Sequence, residues 1–170
     1  PEFHVNATPS DNHMAAGWAG DRQIIGLADG GFVVTWTPSY GDGPSRVVAQ
    51  RYAASGDAVG GEFPVHETTA GRGGTPTIAA LADGGFVVTW AGQGSTEGAP
   101  LGVYARHFSA SGDAAGGELL VAARAPFSFN VGYPSVAALS DGGFVVTWER
   151  NNWADGGPID VLGQRYTASG

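Results

Sequence analysis

Apolar and polar positions alternate along three stretches that are nearly the same text. Leu27–Trp36 reads LADGGFVVTW, Leu81–Trp90 repeats it letter for letter, and Leu139–Trp148 differs only at Ser140. In an extended chain Phe32, Val34 and Trp36 fall on one side and Val33 and Thr35 on the other. Both sides are mostly apolar, the pattern of a strand packed between two neighbouring layers. The preceding Asp-Gly-Gly predicts a hairpin turn, because Gly tolerates positive φ. No segment keeps a helical period over a useful length.

A second block also recurs: VVAQRYAASGDAVGGEFPV from Val47, GVYARHFSASGDAAGGELLV from Gly102, and DVLGQRYTASG from Asp160. The Ser-Gly pairs at Ser55, Ser111 and Ser169 are 56 and 58 residues apart, and the turns at Asp29, Asp83 and Asp141 are 54 and 58 apart. That period holds four short strands. The first is expected at Gln23–Leu27, Thr77–Leu81 and Ser135–Leu139. The second runs from Phe32, Phe86 and Phe144 to the Trp. The third is Val47–Tyr52, Val103–Phe108 and Val161–Tyr166, and the fourth Glu62–Val65 and Glu118–Val121.

The pattern predicts one all-β repeat domain over residues 1–170, with units at about 1–60, 61–116 and 117–170. It comprises three tandem four-stranded antiparallel units that resemble β-propeller blades. Glu2-Phe3-His4-Val5 matches Glu62-Phe63-Pro64-Val65, so an N-terminal strand is expected to close the last unit and cover an exposed edge. Three blades are too few for an ordinary ring. The solutions are two chains forming a six-bladed ring, membership of a longer array, or pseudo-threefold closure as a β-prism or β-trefoil.

Composition narrows the partners. Sixteen Asp and Glu stand against eight Arg, with no Lys, for a net charge of −8. Nucleic acid, which takes a basic surface, is not an expected partner. No apolar run has the length of a membrane span, so membrane insertion is not expected either. Cysteine is absent, so there is no disulfide framework.

The two blocks together resemble tandem repeats of very large bacterial secreted or surface proteins, which often carry hemolysin-type calcium-binding (RTX) segments. The resemblance spans nearly the whole chain. It implies an extracellular or cell-surface setting and a role in adhesion or matrix assembly, with a glycan or surface component as partner. The RTX nonapeptide G-G-x-G-x-D is absent, so its calcium site does not carry over. The second unit departs from Gln-Arg-Tyr with Arg106-His107-Phe108.

In an antiparallel meander the short repeated turns gather at one end and the long, variable loops at the other. Variable loops on a rigid scaffold are the usual seat of binding. These loops hold Trp18, Tyr40, Phe127, Phe129, Tyr133 and Trp153 beside polar residues such as Asp42, Asn152 and Asp155. An aromatic face with carboxylates and amides nearby suits sugars: the ring meets C–H groups and the polar atoms meet hydroxyls. Trp18, Tyr40, Asp42, Asn152, Trp153 and Asp155 are therefore the candidate ligand-binding residues.

Trp36, Trp90 and Trp148 are expected in the core at strand ends. Arg51, His107 and Arg165 are expected to face solvent or pair with Glu62 and Glu118. Asp29, Asp83 and Asp141 are expected to accept turn N–H groups rather than to bind a metal. Tyr40–Gly43 and Asp155–Gly157 offer oxygen ligands suited to calcium, without the alternating acidic spacing of a calcium loop. No H-E-x-x-H, G-x-S-x-G or Walker loop occurs. The sequence-level expectation is a non-catalytic β-repeat module for adhesion, with a lectin-like protein as the alternative.

Overall fold

The structure, a computed structural model, describes residues 3, 5, 12–14, 23–39, 46–66, 73–96, 98–124, 130–151 and 159–170. Among these the chain is all-β. Its strands are β1 (Asn12–Met14), β2 (Ile24–Gly26), β3 (Phe32–Ser39), β4 (Val48–Tyr52), β5 (Ala58–Pro64), β6 (Gly73–Ala80), β7 (Phe86–Gln93), β8 (Leu101–Phe108), β9 (Leu119–Ala123), β10 (Asn130–Ala138), β11 (Phe144–Asn151) and β12 (Ile159–Tyr166). They form three antiparallel sheets in chain order. β6-β7-β8-β9 is the full four-stranded unit, and β10-β11-β12 has three strands. In the first sheet β3, β4 and β5 follow in order, and the place of a single inner strand is shared by β2 and β1 on successive parts of β3.

The repeated turn sets each register. Gly30, Gly84 and Gly142 take φ of 84°, 87° and 87°, a conformation that the hairpin needs and other residues resist. The next glycine has no room for a side chain: a Cβ on Gly85 would lie 2.4 Å from the carbonyl oxygen of Phe108. The same turn therefore delivers Phe86, Phe144 and Phe32 opposite Phe108, Tyr166 and Tyr52.

The second strands run three residues past each Trp, to Ser39, Gln93 and Asn151, so the tryptophans are inside strands and not at their ends. The extension arises because the flanking segments, polar as they are, still complete the ladder: Gly92 pairs with Gly102 and Arg150 with Asp160. Backbone pairing does not require the apolar alternation that marked the first part.

Two cores hold the stack together. Ile25, Val33 and Ala49 of the first sheet meet Ile78, Phe86, Val88 and Trp90 of the second. Ala79, Val87 and Val103 on the other side of the second sheet meet Val136, Phe144, Val146 and Trp148 of the third. The alternation predicted for the second strand thus feeds two different cores. Successive sheets packed face to face, with inner strands β2, β6 and β10 in contact along one side, form a blade-like stack. Pseudo-threefold closure requires a third core between the first and third sheets, and none is found among the described residues.

Glu2 and His4 lie outside the described residues. Phe3 and Val5 of the same segment sit against the first sheet: Phe3 packs on Phe32 and Tyr52 with ring centroids 6.2 and 5.6 Å away, and the Tyr52 hydroxyl donates to the Val5 carbonyl.

Candidate functional site

At the short-turn end one arrangement occurs three times. The Oδ1 of Asp29, Asp83 and Asp141 accepts the N–H of the glycine two residues on, at 2.9, 2.9 and 3.2 Å. The other oxygen faces the third strand. There Arg51 pairs with Asp29, Arg165 with Asp141, and His107 Nε2 stands 3.4 Å from Asp83 Oδ2. The expected turn role of these aspartates is met. The expected pairing of the Arg51, His107 and Arg165 set with Glu62 and Glu118 is corrected. Register explains it, since Arg51 lies directly across from Val33, two residues beyond the turn glycine. Glu118 instead accepts from the backbone and hydroxyl of Ser95.

With both oxygens of Asp29 and Asp141 hydrogen-bonded, these two aspartates tie turn to strand, while Asp83 holds its turn through Oδ1. Asp57 and Asp113 are likewise held, each by a Ser hydroxyl at 2.7 Å. Among the described residues no three His, Asp or Glu side chains converge on one point. Tyr40–Gly43 and Asp155–Gly157 lie outside them.

Between the second and third sheets, near this end, is an open cavity of about 240 Å³ lined by Val87, Ala105, His107, Leu119, Phe144 and Ser169 among others. Its cause is a break in the repeat. In the seam between the first two sheets, Phe63 packs on Phe108 at 5.7 Å and lies against Gly112. One seam later the equivalent residue is Leu119, which stands against Gly170. A shorter side chain at the same place leaves space unfilled.

The seam between the first two sheets carries a buried imidazole that sequence reasoning did not single out. His66 is fully buried and stacks on Trp90 at 5.7 Å. Its Nε2 accepts the Val47 N–H at 3.0 Å, which fixes the neutral form with the proton on Nδ1. Burial pushes its pKa below the ordinary value; Glu118 opposes this, and Arg46 and Arg106 add to it. The cue was available, since His66 stands where the other units have Asn6 and Ala122. Burial also raises the hydroxyl pKa of Tyr52, Tyr104 and Tyr166.

At the long-loop end, Trp18, Tyr40, Asp42, Asn152, Trp153 and Asp155 all lie outside the described residues. Of the aromatics noted in those loops, Tyr133 is described. It sits in the irregularity of β10 between Gly132 and Ser135, beside the pairing of Gly132 with Glu149. It is 57% exposed, and its φ is +51°. It is the one non-glycine residue with positive φ among the described residues. A bulky side chain there is an outlier, and the residue before a proline is further biased to extended backbone. Strain of this kind costs about 1–3 kcal/mol and collects at functional positions.

The β7–β8 connection, one of the long non-repeating loops, is held by hydrogen bonds of its own. Gln93 donates to the Ala99 carbonyl at 3.0 Å, Tyr104 to the Pro100 carbonyl at 2.6 Å, and Ser95 is bound by Glu118.

No family model matches the chain, and no curated protein matches it. Solved structures share its fold. The endo-arabinase of Bacteroides thetaiotaomicron VPI-5482 superposes with a TM-score of 0.55 at 12% identity, over 86% of this chain and 56% of that one. The α-L-arabinanase of Penicillium chrysogenum, solved with arabinobiose, gives 0.48 at 17% identity over 82% and 43%. The GH93 α-L-arabinofuranosidase of Fusarium graminearum, also with arabinobiose, gives 0.47 at 13% over 81% and 44%. The chain spans about half the length of each.

The expectation of a non-catalytic chain is corrected by this likeness. The scaffold is one on which an endo-arabinase is built, and fold does not fix function. Missing nucleophile and metal motifs do not exclude carboxylate chemistry, which uses residues distant in sequence.

Proposed function

We propose that the chain is a carbohydrate-recognising part of a propeller-type protein and holds a glycan across the long-loop end of its sheets. The observation that carries this reading is Tyr133, an aromatic ring kept exposed by strained backbone on an inner strand. An exposed ring offers a flat apolar face to sugar C–H groups, and its hydroxyl offers a polar tip. Glu149, across from Gly132, supplies an acceptor nearby. A likeness of fold to an endo-arabinase supports the choice of arabinose-containing polysaccharide as the first probe. We place the protein outside the cell or on its surface, the setting of the RTX-associated repeats that its two sequence blocks resemble.

The test is a glycan array read together with reducing-sugar release from arabinan. Binding to at least one glycan is expected. Failure to bind any glycan, with no sugar released, overturns the reading.

A further inference from the structure

We propose that the cavity between the second and third sheets is a binding site for a single-ring phenol, with the aromatic ring beside Leu119 and Phe144 and the hydroxyl at His107. The cavity lies at the short-turn end and is separate from the glycan surface proposed for the long-loop end.

The repeat shows what this space is shaped to hold. Each sheet carries a stacked aromatic pair across its second and third strands: Phe32 on Tyr52, Phe86 on Phe108 and Phe144 on Tyr166, with centroids 4.9, 5.2 and 5.1 Å apart. Two of these pairs receive a third ring from an earlier segment. Phe3 lies 5.6 Å from Tyr52, and Phe63 lies 5.7 Å from Phe108 and against Gly112. The third pair has no such ring among the described residues. Leu119 stands in its place, against Gly170.

Two side chains of the wall are smaller than their counterparts in the first seam: Leu119 replaces Phe63, and Ala115 replaces Val59. The open cavity measures about 240 Å³. An apolar cavity of about 150 Å³ is enough to take up benzene. This one therefore admits a six-membered ring with a substituent. Its floor is apolar, made by Val87, Ala105, Leu119 and Phe144. A flat ring there regains the contacts that Phe63 makes one seam earlier. In the first seam the chain beyond the matching turn does not fill this place. After Gly112 the backbone folds onto its own sheet: the Asp113 carbonyl accepts from the Ser109 N–H at 2.8 Å, and the Ala115 N–H donates to the His107 carbonyl at 2.9 Å.

The polar wall selects the substituent. His107 lines the cavity at the position held by Arg51 and Arg165 in the other units. Its Nε2 stands 3.4 Å from Oδ2 of Asp83. A carboxylate beside Nε2 keeps the proton on that nitrogen and leaves Nδ1 as the acceptor. An acceptor at the wall calls for a ligand that donates, and the nearby carboxylate disfavours an anion. A phenol, neutral at pH 7 with a pKa of about 10, meets both conditions. A benzoate meets neither.

The test uses phenol itself and the whole chain, observed by methyl NMR, and needs no sugar. Saturable one-site shifts are expected at Leu119, Ala105 and Ala115, and none at Ala49 and Val59, which hold the matching positions in the first unit. Benzoate is expected to give no saturable shift. Leu119→Phe, which places the protein's own ring in the space, is expected to weaken phenol binding at least about tenfold. Ala115→Val, at an exposed position, carries the residue of the first unit and is expected to weaken binding in the same direction. The affinity of phenol relative to toluene is expected to fall in His107→Leu. No saturable shift with phenol, shifts as large at Ala49 as at Ala105, benzoate binding as strong as phenol, an unchanged phenol-to-toluene ratio in His107→Leu, or undiminished binding in the two filled variants overturns the proposal.

Discussion

The imidazole of His107 stands where the other two units place a guanidinium, with Nε2 3.4 Å from Oδ2 of Asp83. Asp83 still holds its turn through the Gly85 N–H at 2.9 Å. The repeat thus preserves the aspartate's turn role in every unit and varies its cross-strand partner.

Of the two roles of this aspartate, the turn matters more for stability. The Arg165–Asp141 pair is more than half exposed on both sides, and such pairs contribute about 0–1 kcal/mol. The turn hydrogen bond contributes about 0.5–1.5 kcal/mol. Asp141→Ala is expected to lower stability by about 1–2 kcal/mol by loss of both. Asp141→Asn, which keeps the acceptor for Gly143, is expected to lose less than about 1 kcal/mol. Urea midpoints of the two variants check the order; equal losses contradict it.

The cavity at Leu119 has a designed remedy within the chain itself. Leu119→Phe copies Phe63 into the seam between the second and third sheets and is expected to stabilise by about 0.5–2 kcal/mol. Phe63→Leu, the reverse change in the other seam, is expected to cost about 1–3 kcal/mol. Thermal melts of both variants decide this. A destabilised Leu119→Phe would mean that Phe144 and Ala105 leave no room for a ring.

Trp90 is a core residue by the same reasoning. It is 0% exposed and packed between His66 and Tyr104, at 5.7 and 5.8 Å. Trp90→Ala is expected to cost about 3–5 kcal/mol. Trp148, at 8% exposure, is expected to follow it. A substitution at Trp90 that leaves the melting point in place would reopen a surface role for the repeated tryptophans.

His66 gives the stability a definite dependence on pH. The folded state keeps its imidazole neutral and lowers its pKa, chiefly through burial. The unfolded chain titrates near the ordinary value of about 6.5. Below that pH the unfolded state binds more protons, so stability falls as the solution is acidified toward the folded pKa and levels off beneath it. Stability from this group is fully present above about pH 6.5. His66→Gln retains an acceptor for the Val47 N–H and is expected to flatten the dependence in that window. Urea denaturation at pH 7.5, 6.5 and 5.5, values chosen to bracket the titration, measures it; an unchanged slope in the variant contradicts the assignment.

Much of this fold is legible in the sequence because its signals are local. The Asp-Gly-Gly turns fix three hairpins, and Phe86, Val87, Val88 and Trp90 assign themselves to opposite sides by alternation alone. The extensions past Trp36, Trp90 and Trp148 are not legible, because β-ladders there are completed by residues such as Gly92, Arg150 and Asn151 that carry no apolar pattern. His66 is visible in the sequence as a departure from Asn6 and Ala122, but its meaning depends on Val47 and Trp90, which are distant in sequence. The partner of Arg165 required the register of β11 on β12, and charge alone suggested the glutamates. Of the aromatics in the long loops Tyr133 is the one among the described residues, and its φ has no sequence signature, since the proline after it argues for extended backbone.

The reading of the chain as a glycan-binding scaffold rests most directly on Tyr133. Calorimetric titration with arabino-oligosaccharides, for wild type and Tyr133→Ala side by side, tests it. Measurable binding by wild type is expected, with a loss of at least about tenfold in the variant, or about 1.4 kcal/mol. The variant keeps the Cβ that strains the positive φ and loses only an exposed ring, so it is expected to melt close to wild type. Binding of equal strength in the two proteins would contradict the account.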